Sequence, residues 1–390
     1  MTCPACTSPD VSVFFEERDL PLNSCLLLDD RDDATGFPTG DLVLGFCGAC
    51  GFVSNTAFDK GSSEYSQRYE ETQIFSATFQ EFARDLAHSW VDRHDLAGKT
   101  VLEIGCGKGE FLVMMVEAGA GQGIGIDPGV RPERIESDVG DRLTWIKDFY
   151  SEAYAHLDVD AVVCRHTLEH IPDVAEFMAM IRSAIGDRPE TIVLFELPDV
   201  ARILEETAFW DVYYEHCSYF SLGSLARLFR RTGFEVLDLA LDYHDQYLLI
   251  EARPSTVPAA GTPLDVEADL ARLRSGVADF ADAYANLRRD WRKRLAEVTA
   301  LGGTSVVWGG GSKGVSFVTH LDVADHVDLA VDINPYKHGK YLAGSGVPVV
   351  APEALVERPP ALVVVMNPIY EPEVRAELHR LGLDPEVVSL

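Results

Sequence analysis

Basic residues are scarce in this chain, which sets 33 Lys and Arg against 63 Asp and Glu for a formal net charge of -30. No Lys/Arg run interrupts that imbalance, so a phosphate backbone would be repelled and no nucleic-acid partner is expected. Long apolar runs are missing too. No stretch reaches the roughly 18 uninterrupted apolar residues of a membrane span, and no membrane partner is expected. The opening Met1-Thr2-Cys3-Pro4 has neither a charged nor an apolar leader region, so a cytoplasmic location is expected. Extended low-hydrophobicity segments are likewise absent: 47% of residues are hydrophobic, and 390 residues leave room for two or three domains with real cores. The eight cysteines do not suggest a disulfide scaffold, because four fall in two CxxC pairs and four are scattered. That usage fits metal ligation in a reducing compartment.

The pairs are Cys3-Pro-Ala-Cys6 and Cys47-Gly-Ala-Cys50. Two such knuckles present four thiolates to one tetrahedral Zn²⁺, and with no open position the ion is expected to be structural. A redox role would need a thioredoxin-like setting that neither pair has. Cys25 lies outside both pairs and reads as a packed thiol. Residues 1–60 are therefore expected to form a small zinc-binding domain.

Val101 to Ile104 read as a buried parallel strand, followed by Gly105, Gly107 and Gly109 in a tight turn and a helix from Glu110. Glu103 ends the order E-x-G-x-G-x-G at its N-terminal side. About twenty residues on, Asp127 closes the next apolar run, where a carboxylate can accept from both hydroxyls of a ribose. Further strands are predicted at Leu143 to Ile146, Ala161 to Cys164 and Thr191 to Phe195, giving a doubly wound α/β domain with a mostly parallel sheet over residues 61–257. Ligands lie at the carboxyl ends of such strands. Asp148 there suits an adenine amino group, with Phe149 beside the ring, and Arg165 ends the following strand. Upstream, an amphipathic helix is predicted from Ala77 to His94 as a cover on the sheet. Tyr69, in the tyrosine-rich stretch before it that starts at Tyr65, either lines the pocket or packs.

His166 and His170 stand at i/i+4, but no third metal ligand is evident in sequence, and a strand-end hydrogen bond is the simpler role for His166. His170 should lie near the pocket mouth, since Ile171-Pro172-Asp173 restarts a helix after it. The segment Phe209 to Phe220 packs aromatic and titratable groups together, with Glu215 and His216 offering an acid and a base and tyrosines such as Tyr214 offering hydroxyls to anionic oxygens. A packed aromatic loop with surface charges is the alternative. Phe234 to Leu239 and Tyr247 to Glu251 read as a closing antiparallel pair.

Pro258 to Pro263 mark a boundary, and residues 258–300 contain a long connecting helix with one apolar stripe. Residues 301–390 begin again with a strand and Gly309-Gly-Gly311-Ser-Lys-Gly314, with Asp332 downstream. The spacing looks like a dinucleotide fold, but ninety residues suggest half a unit: a phosphate or nucleotide cradle, or a scaffold.

The E-x-G-x-G-x-G series closely resembles motif I of class I S-adenosylmethionine (SAM)-dependent methyltransferases. Taken with the four cysteines, Tyr214-Glu215-His216, Ser218-Tyr219-Phe220 and Trp308-Gly309-Gly-Gly311, the chain resembles three-part methyltransferases with an N-terminal zinc-binding domain and a C-terminal Rossmann-like domain. Its best-known members are sugar C-methyltransferases acting on nucleotide-linked ketosugars. The resemblance implies a SAM cofactor, bound through Glu103, Gly105, Gly107, Gly109, Asp127, Asp148, Phe149 and Arg165, and a structural Zn²⁺ on Cys3, Cys6, Cys47 and Cys50. It implies His216 as the general base near the reacting carbon, Tyr214 and Glu215 shaping the site, Tyr69 and His170 opposite, and the C-terminal domain holding a nucleotide diphosphate. Open alternatives are an O- or N-methyltransferase on a small-molecule or natural-product acceptor, and a non-catalytic zinc protein that binds SAM or a nucleotide. The oligomeric state is not legible.

Overall fold

The computed structural model describes residues 1–61, 67–255 and 261–390. Tyr65 and the boundary at Pro258 lie outside the described residues. The N-terminal segment forms β1 (Val11–Pro21), the short helix α1 (Arg31–Thr35), β2 (Thr39–Cys47) and β3 (Val53–Asn55). β1 and β2 make a long antiparallel ladder from Val11 opposite Cys47 to Pro21 opposite Thr39. The fourth strand of this sheet is Ser218–Tyr219, with Val53 opposite Tyr219. The segment expected to be its own domain thus completes its sheet with the loop that follows the methyltransferase-like strands. Its cysteines are also not separate: Cys3, Cys47, Cys50 and Phe52 share one apolar cluster with Leu102, Phe195 and Phe229. Arg227 ties the two parts together by donating to the Cys50 carbonyl at 3.0 Å.

The central part runs α2 (Ala77–Arg93), β4 (Thr100–Ile104), α3 (Glu110–Glu117), β5 (Gln122–Ile126), β6 (Leu143–Ile146), β7 (Ala161–Arg165), α4 (Val174–Ile185), β8 (Ile192–Pro198), α5 (Val200–Glu206), β9 (Ser218–Tyr219), α6 (Leu222–Arg231), β10 (Phe234–Asp242) and β11 (Tyr247–Pro254). Its sheet has the order β10-β11-β8-β7-β4-β5-β6. The strands from β8 to β6 are parallel, while β11 pairs antiparallel with both β8 and β10. Burial on both faces explains the continuous apolar run Ala161-Val-Val-Cys164, every residue of which is buried. The expected cover helix α2 starts where the Ser76 hydroxyl accepts from the Phe79 amide, and it buries Leu86 and Trp90 against the sheet.

The 31-residue helix α7 (Leu270–Ala300) buries Leu273, Phe280, Tyr284, Trp291 and Leu295. Phe280 and Tyr284 meet the Phe15 ring edge-on at 5.1 and 5.0 Å, so the helix clamps β1 as well as connecting the last two parts. Beyond it come β12 (Ser305–Trp308), α8 (Ser312–Leu321), β13 (Leu329–Val331), β14 (Val349–Val350), β15 (Leu362–Val365), α9 (Glu371–Arg380) and β16 (Glu386–Ser389). These strands form a five-stranded parallel sheet of order β14-β13-β12-β15-β16. It is a complete open sheet with apolar layers on both faces, which corrects the half unit expected from its length. In each parallel sheet the strand order reverses at the strand carrying the glycine turn, β4 and β12, which is where an open α/β sheet leaves a crevice.

Candidate active site

Both crevices open into one cavity of ≈ 750 Å³, lined by the turn Gly105–Lys108, the turn Gly309–Gly314, the His166–His170 strand end and the loop residues Tyr213 and His216. A cavity of that size takes a cofactor and a small acceptor together.

At the β4 end, Gly105 has φ +68°, and a Cβ there would fall 2.0 Å from the Thr167 hydroxyl oxygen, so the turn needs glycine on two counts. Asp127 accepts from the Gly107 amide at 3.0 Å and the Gly129 amide at 2.6 Å. Burial, then the nearby Glu71 carboxylate, pushes the Asp127 pKa up to about 6. Glu103 is 2% exposed with one carboxylate oxygen unpartnered, and burial pushes it up to about 8. Burial and Glu71 raise Glu110 to about 7. A cradle of carboxylates, one with an oxygen awaiting a donor, fits a cofactor that carries a sulfonium and an ammonium. Gly107 and Glu71 line it, and Lys108 pairs with Glu71 at 3.1 Å; Glu71 was not legible as a site residue because no motif covers the strap upstream of α2, and Lys108 because it occupies a variable position between the motif glycines. Tyr69, on that strap, lines the cavity, and its carbonyl accepts from Lys108 at 2.6 Å.

Asp148 and Phe149 sit at the mouth. The Asp148 carboxylate already accepts from the Phe149 amide at 2.8 Å and the Tyr154 hydroxyl at 2.6 Å, and Phe149 is 59% exposed. Arg165 lines the cavity but is committed elsewhere. It donates to both Glu196 oxygens at 2.8 and 3.0 Å, and its guanidinium lies 3.9 Å above the Phe111 ring centre. Burial would raise Glu196, but Arg165 and His166 outweigh it and bring the carboxyl down to about 2. Burial lowers His166, yet the adjoining Glu169 and Glu196 carboxylates lift it to about 9.

The acceptor end is built on the loop before β9. His216 is 6% exposed, its Nδ1 is unpartnered, and its ring lies 4.1 Å from that of Tyr213 and 4.7 Å from that of His170. Burial first, then the positive ends of His170, His166 and Lys313, hold its pKa well below the usual histidine value. It is a neutral imidazole at pH 7. Tyr213 lines the cavity, whereas Tyr214 does not: its hydroxyl accepts from the Asp59 amide at 2.9 Å and its ring packs on Phe58. Glu215 is fully buried outside the cavity, accepting from Asn23 at 3.1 Å, from the Ser24 amide at 3.0 Å and from the Ser24 hydroxyl. Tyr214 and Glu215 therefore hold the N-terminal segment in place and do not face an acceptor. Tyr213 was missed because Tyr213 and Tyr214 stand in irregular backbone, where no period decides which side chain turns inward. The Nδ1–H of His170 donates to the Glu215 carbonyl at 3.1 Å. The fold also supplies what the sequence did not show beside His170: polar atoms of Glu169, His170 and His216 all lie within 4.8 Å of one another.

On the C-terminal wall, α8 begins at Ser312 after Gly311 with no side chain capping its first amides. Lys313 beside it pairs with Asp211, which also pairs with Arg202. Lys337 pairs with Asp332 at 3.2 Å, and Asp332 accepts from the Gly310 amide at 2.8 Å. Farther round, Glu70 accepts from Asn334 at 3.0 Å and Arg134 at 2.8 Å, so the Tyr69 strap is bolted to both sheets.

The cysteine sulfurs also converge. Those of Cys3, Cys6, Cys47 and Cys50 all lie within 4.8 Å of one another, with Cys3 to Cys50 at 3.7 Å and Cys6 to Cys47 at 3.6 Å. A tetrahedron of Zn–S bonds of about 2.3 Å has edges of about 3.8 Å, so the set is sized for that ion.

Residues 76–239 match the family described as Methyltransferase domain, and residues 264–383 match that described as C-methyltransferase C-terminal domain. The chain is 26% identical over 362 residues to the C-methyltransferase NovU of Streptomyces niveus, covering 89% of this chain and 85% of that protein. It is 38% identical over 94 residues to a ubiquinone biosynthesis O-methyltransferase of Stutzerimonas stutzeri, where the match spans 22% of this chain and only 40% of that protein. Among solved structures, N,N-8-amino-8-demethyl-D-riboflavin dimethyltransferase (RosA) from Streptomyces davawensis is 21% identical with a TM-score of 0.37, over 45% of this chain and 56% of that chain. With a methyltransferase domain followed by a C-methyltransferase C-terminal domain, and a relative matched along most of both lengths, the chain is a SAM-dependent methyltransferase that is similar to C-methyltransferases.

Proposed function

We propose that the protein methylates a carbon next to the ketone of a nucleotide-linked sugar, with His216 as the base that forms the enolate. The observation that carries this is the setting of His216: a buried imidazole that lines the cavity together with the Gly105 and Gly309 turns, whose pKa burial holds well below the usual value. A base of that kind can remove a proton alpha to a carbonyl, while a donor steadies the oxygen as charge develops there. Tyr213 suits the donor role, because burial raises its hydroxyl pKa well above the usual value and keeps its proton on. SAM supplies an activated methyl, so the residual work of the chain is to align the two reacting atoms and exclude water.

A nucleotide diphosphate is favoured as the handle of the acceptor by the open amides of α8, with Lys313 and Lys337 on either side of that turn. Cys3, Cys6, Cys47 and Cys50 would hold one Zn²⁺, whose contribution is to fix the N-terminal segment against α6. Exchange of solvent deuterium into the carbon alpha to the ketone of a nucleotide-linked 4-ketosugar tests the base. Wild-type protein should catalyse exchange and His216→Ala should not. Methyl transfer to an oxygen or nitrogen, with no exchange at carbon in the wild type, would sink the proposal.

A further inference from the structure

We propose that Glu169 is the positioning carboxylate of His216: it accepts the proton on Nδ1 of the imidazole, which leaves Nε2 bare as the base, and it balances the positive charge when that base is protonated. The inference rests on the reading of His216 as the base. Glu169 is 2% exposed at the edge of the cavity, and neither of its carboxylate oxygens has a hydrogen-bond partner. A buried anion without a donor is costly, and the cost falls away once a neighbour supplies an N–H.

The neighbours narrow the choice. His170 already spends its Nδ1–H on the Glu215 carbonyl, so in its neutral form its other nitrogen can only accept. His166 directs Nε2 to Glu196 at 2.7 Å and approaches one Glu169 oxygen only at 3.5 Å, so the other oxygen is left over. The Cys217 thiol goes to the Glu169 backbone carbonyl and not to the carboxylate. His216 remains, with its own Nδ1 unpartnered and a nitrogen within 4.8 Å of the Glu169 carboxylate.

The charges facing His216 make a counter-ion necessary. His166 and Lys313 oppose a further positive charge there, and the rings of Tyr213 and Tyr219 contribute none. The other acids nearby are committed: Glu215 to Asn23 and Ser24, Glu196 to Arg165 and His166, and Asp211 to Arg202 and Lys313. Among the described residues around His216, Glu169 is the acid with oxygens to spare. In the proton-transfer step the C–H bond of the acceptor breaks, its electron pair passes into the enolate, and the proton goes to Nε2. Glu169 keeps the Nδ1 proton in a hydrogen bond and is not itself protonated. The enolate carbon then takes the methyl.

The test uses the full chain with zinc content checked. Glu169→Gln should lower kcat at least about a hundredfold, the scale of a lost base orientation. It should leave SAM affinity within about threefold, and shift the acid limb of the kcat–pH profile down by about one unit, since an opposite charge near an imidazole raises its pKa by that order. Glu169→Asp should recover part of both. An unmoved limb and unchanged kcat in Glu169→Gln would overturn the proposal. So would a second tightly held metal ion per chain that is lost in Glu169→Gln while the cysteine-held one stays, because Glu169, His170 and His216 would then serve a metal. Nitrogen NMR on wild-type protein gives an answer that needs no variant: Nδ1–H on His216 supports the proposal, and an Nε2–H tautomer ends it. His216→Ala separates the two readings. If that variant still exchanges deuterium, the base itself is misplaced; if it is inert and the Glu169→Gln limb does not move, only the Glu169 role fails.

Discussion

Tyr213 and Tyr214 are consecutive in the chain and face opposite ways: the Tyr213 ring lies 4.1 Å from that of His216 in the cavity, while the Tyr214 hydroxyl accepts from the Asp59 amide 2.9 Å away. Removing each hydroxyl should therefore have separable effects. Tyr213→Phe is expected to lower kcat about tenfold or more with unchanged melting temperature. Tyr214→Phe is expected to leave kcat near wild type and to cost about 1 kcal/mol of stability, the scale of one hydrogen bond. Steady-state kinetics and thermal melts on the two variants check both; a kinetic defect in Tyr214→Phe alone would reverse the assignment.

The cofactor cradle should respond to pH in a way that depends on cofactor charge. Glu103, Glu110 and Asp127 have pKa values pushed up to about 8, 7 and 6, so they gain negative charge between pH 6 and 8. SAM carries one more positive charge than S-adenosylhomocysteine. The affinity ratio of SAM to S-adenosylhomocysteine should rise over that window, and calorimetry at pH 5.5 and 8.5 measures it. A flat ratio would mean that these carboxylates do not face the sulfonium.

The Arg165–Glu196–His166 cluster should confer stability between two limits. Glu196 is depressed from 4.5 to about 2, so its contribution is present above pH 4.5 and is lost as pH falls through 2. His166 is raised from 6.5 to about 9, so its contribution is complete below pH 6.5 and is lost as pH rises through 9. The melting-temperature gap between wild type and Glu196→Gln should be widest from pH 4.5 to 6.5 and should shrink on both sides. A gap independent of pH would show that packing, and not charge, holds the cluster.

Gly314 sets the α8 turn. A Cβ on it would lie 2.2 Å from the Gly309 carbonyl oxygen, which is backbone and cannot swing away. Gly314→Ala should open the turn and raise the acceptor KM by about tenfold or more, equivalent to about 1.4 kcal/mol, with SAM affinity unchanged. Equal damage to both affinities would place the turn in the cofactor's site.

Metal analysis should find one zinc per chain, and Cys47→Ser should lose it. Because Cys47 and Cys50 share a cluster with Phe195 and Phe229, chelation is expected to lower the melting temperature of the whole protein and not of a detached module. A separate early transition confined to residues 1–60 would contradict this.

The parts of this architecture that were legible in sequence are those decided locally. Val101 to Ile104 announce a buried strand by apolar continuity, the glycines after them announce a turn, and two Cys pairs announce a convergence of sulfurs. The parts that were not legible depend on meetings across long stretches of chain. Glu215 reads as a catalytic acid beside His216, yet it bonds to Asn23, 192 residues away. His216 stands out in sequence and Glu169 does not, and they form a cluster only because the β7 end and the loop before β9 converge. Arg165 looks uncommitted until Glu196, on the neighbouring strand, accepts from its Nε and one of its terminal nitrogens. Tyr213 and Tyr214 differ only in which way irregular backbone turns them.

The strand Ser218–Tyr219, which closes the sheet begun by β1, β2 and β3, governs the order in which the protein can be made. The first fifty-five residues leave the ribosome with an unpaired strand edge, and their partner emerges only after the whole parallel sheet through β8 has been synthesised. A fragment ending before residue 218 would carry all four cysteines and still have an open edge, prone to pairing with other chains.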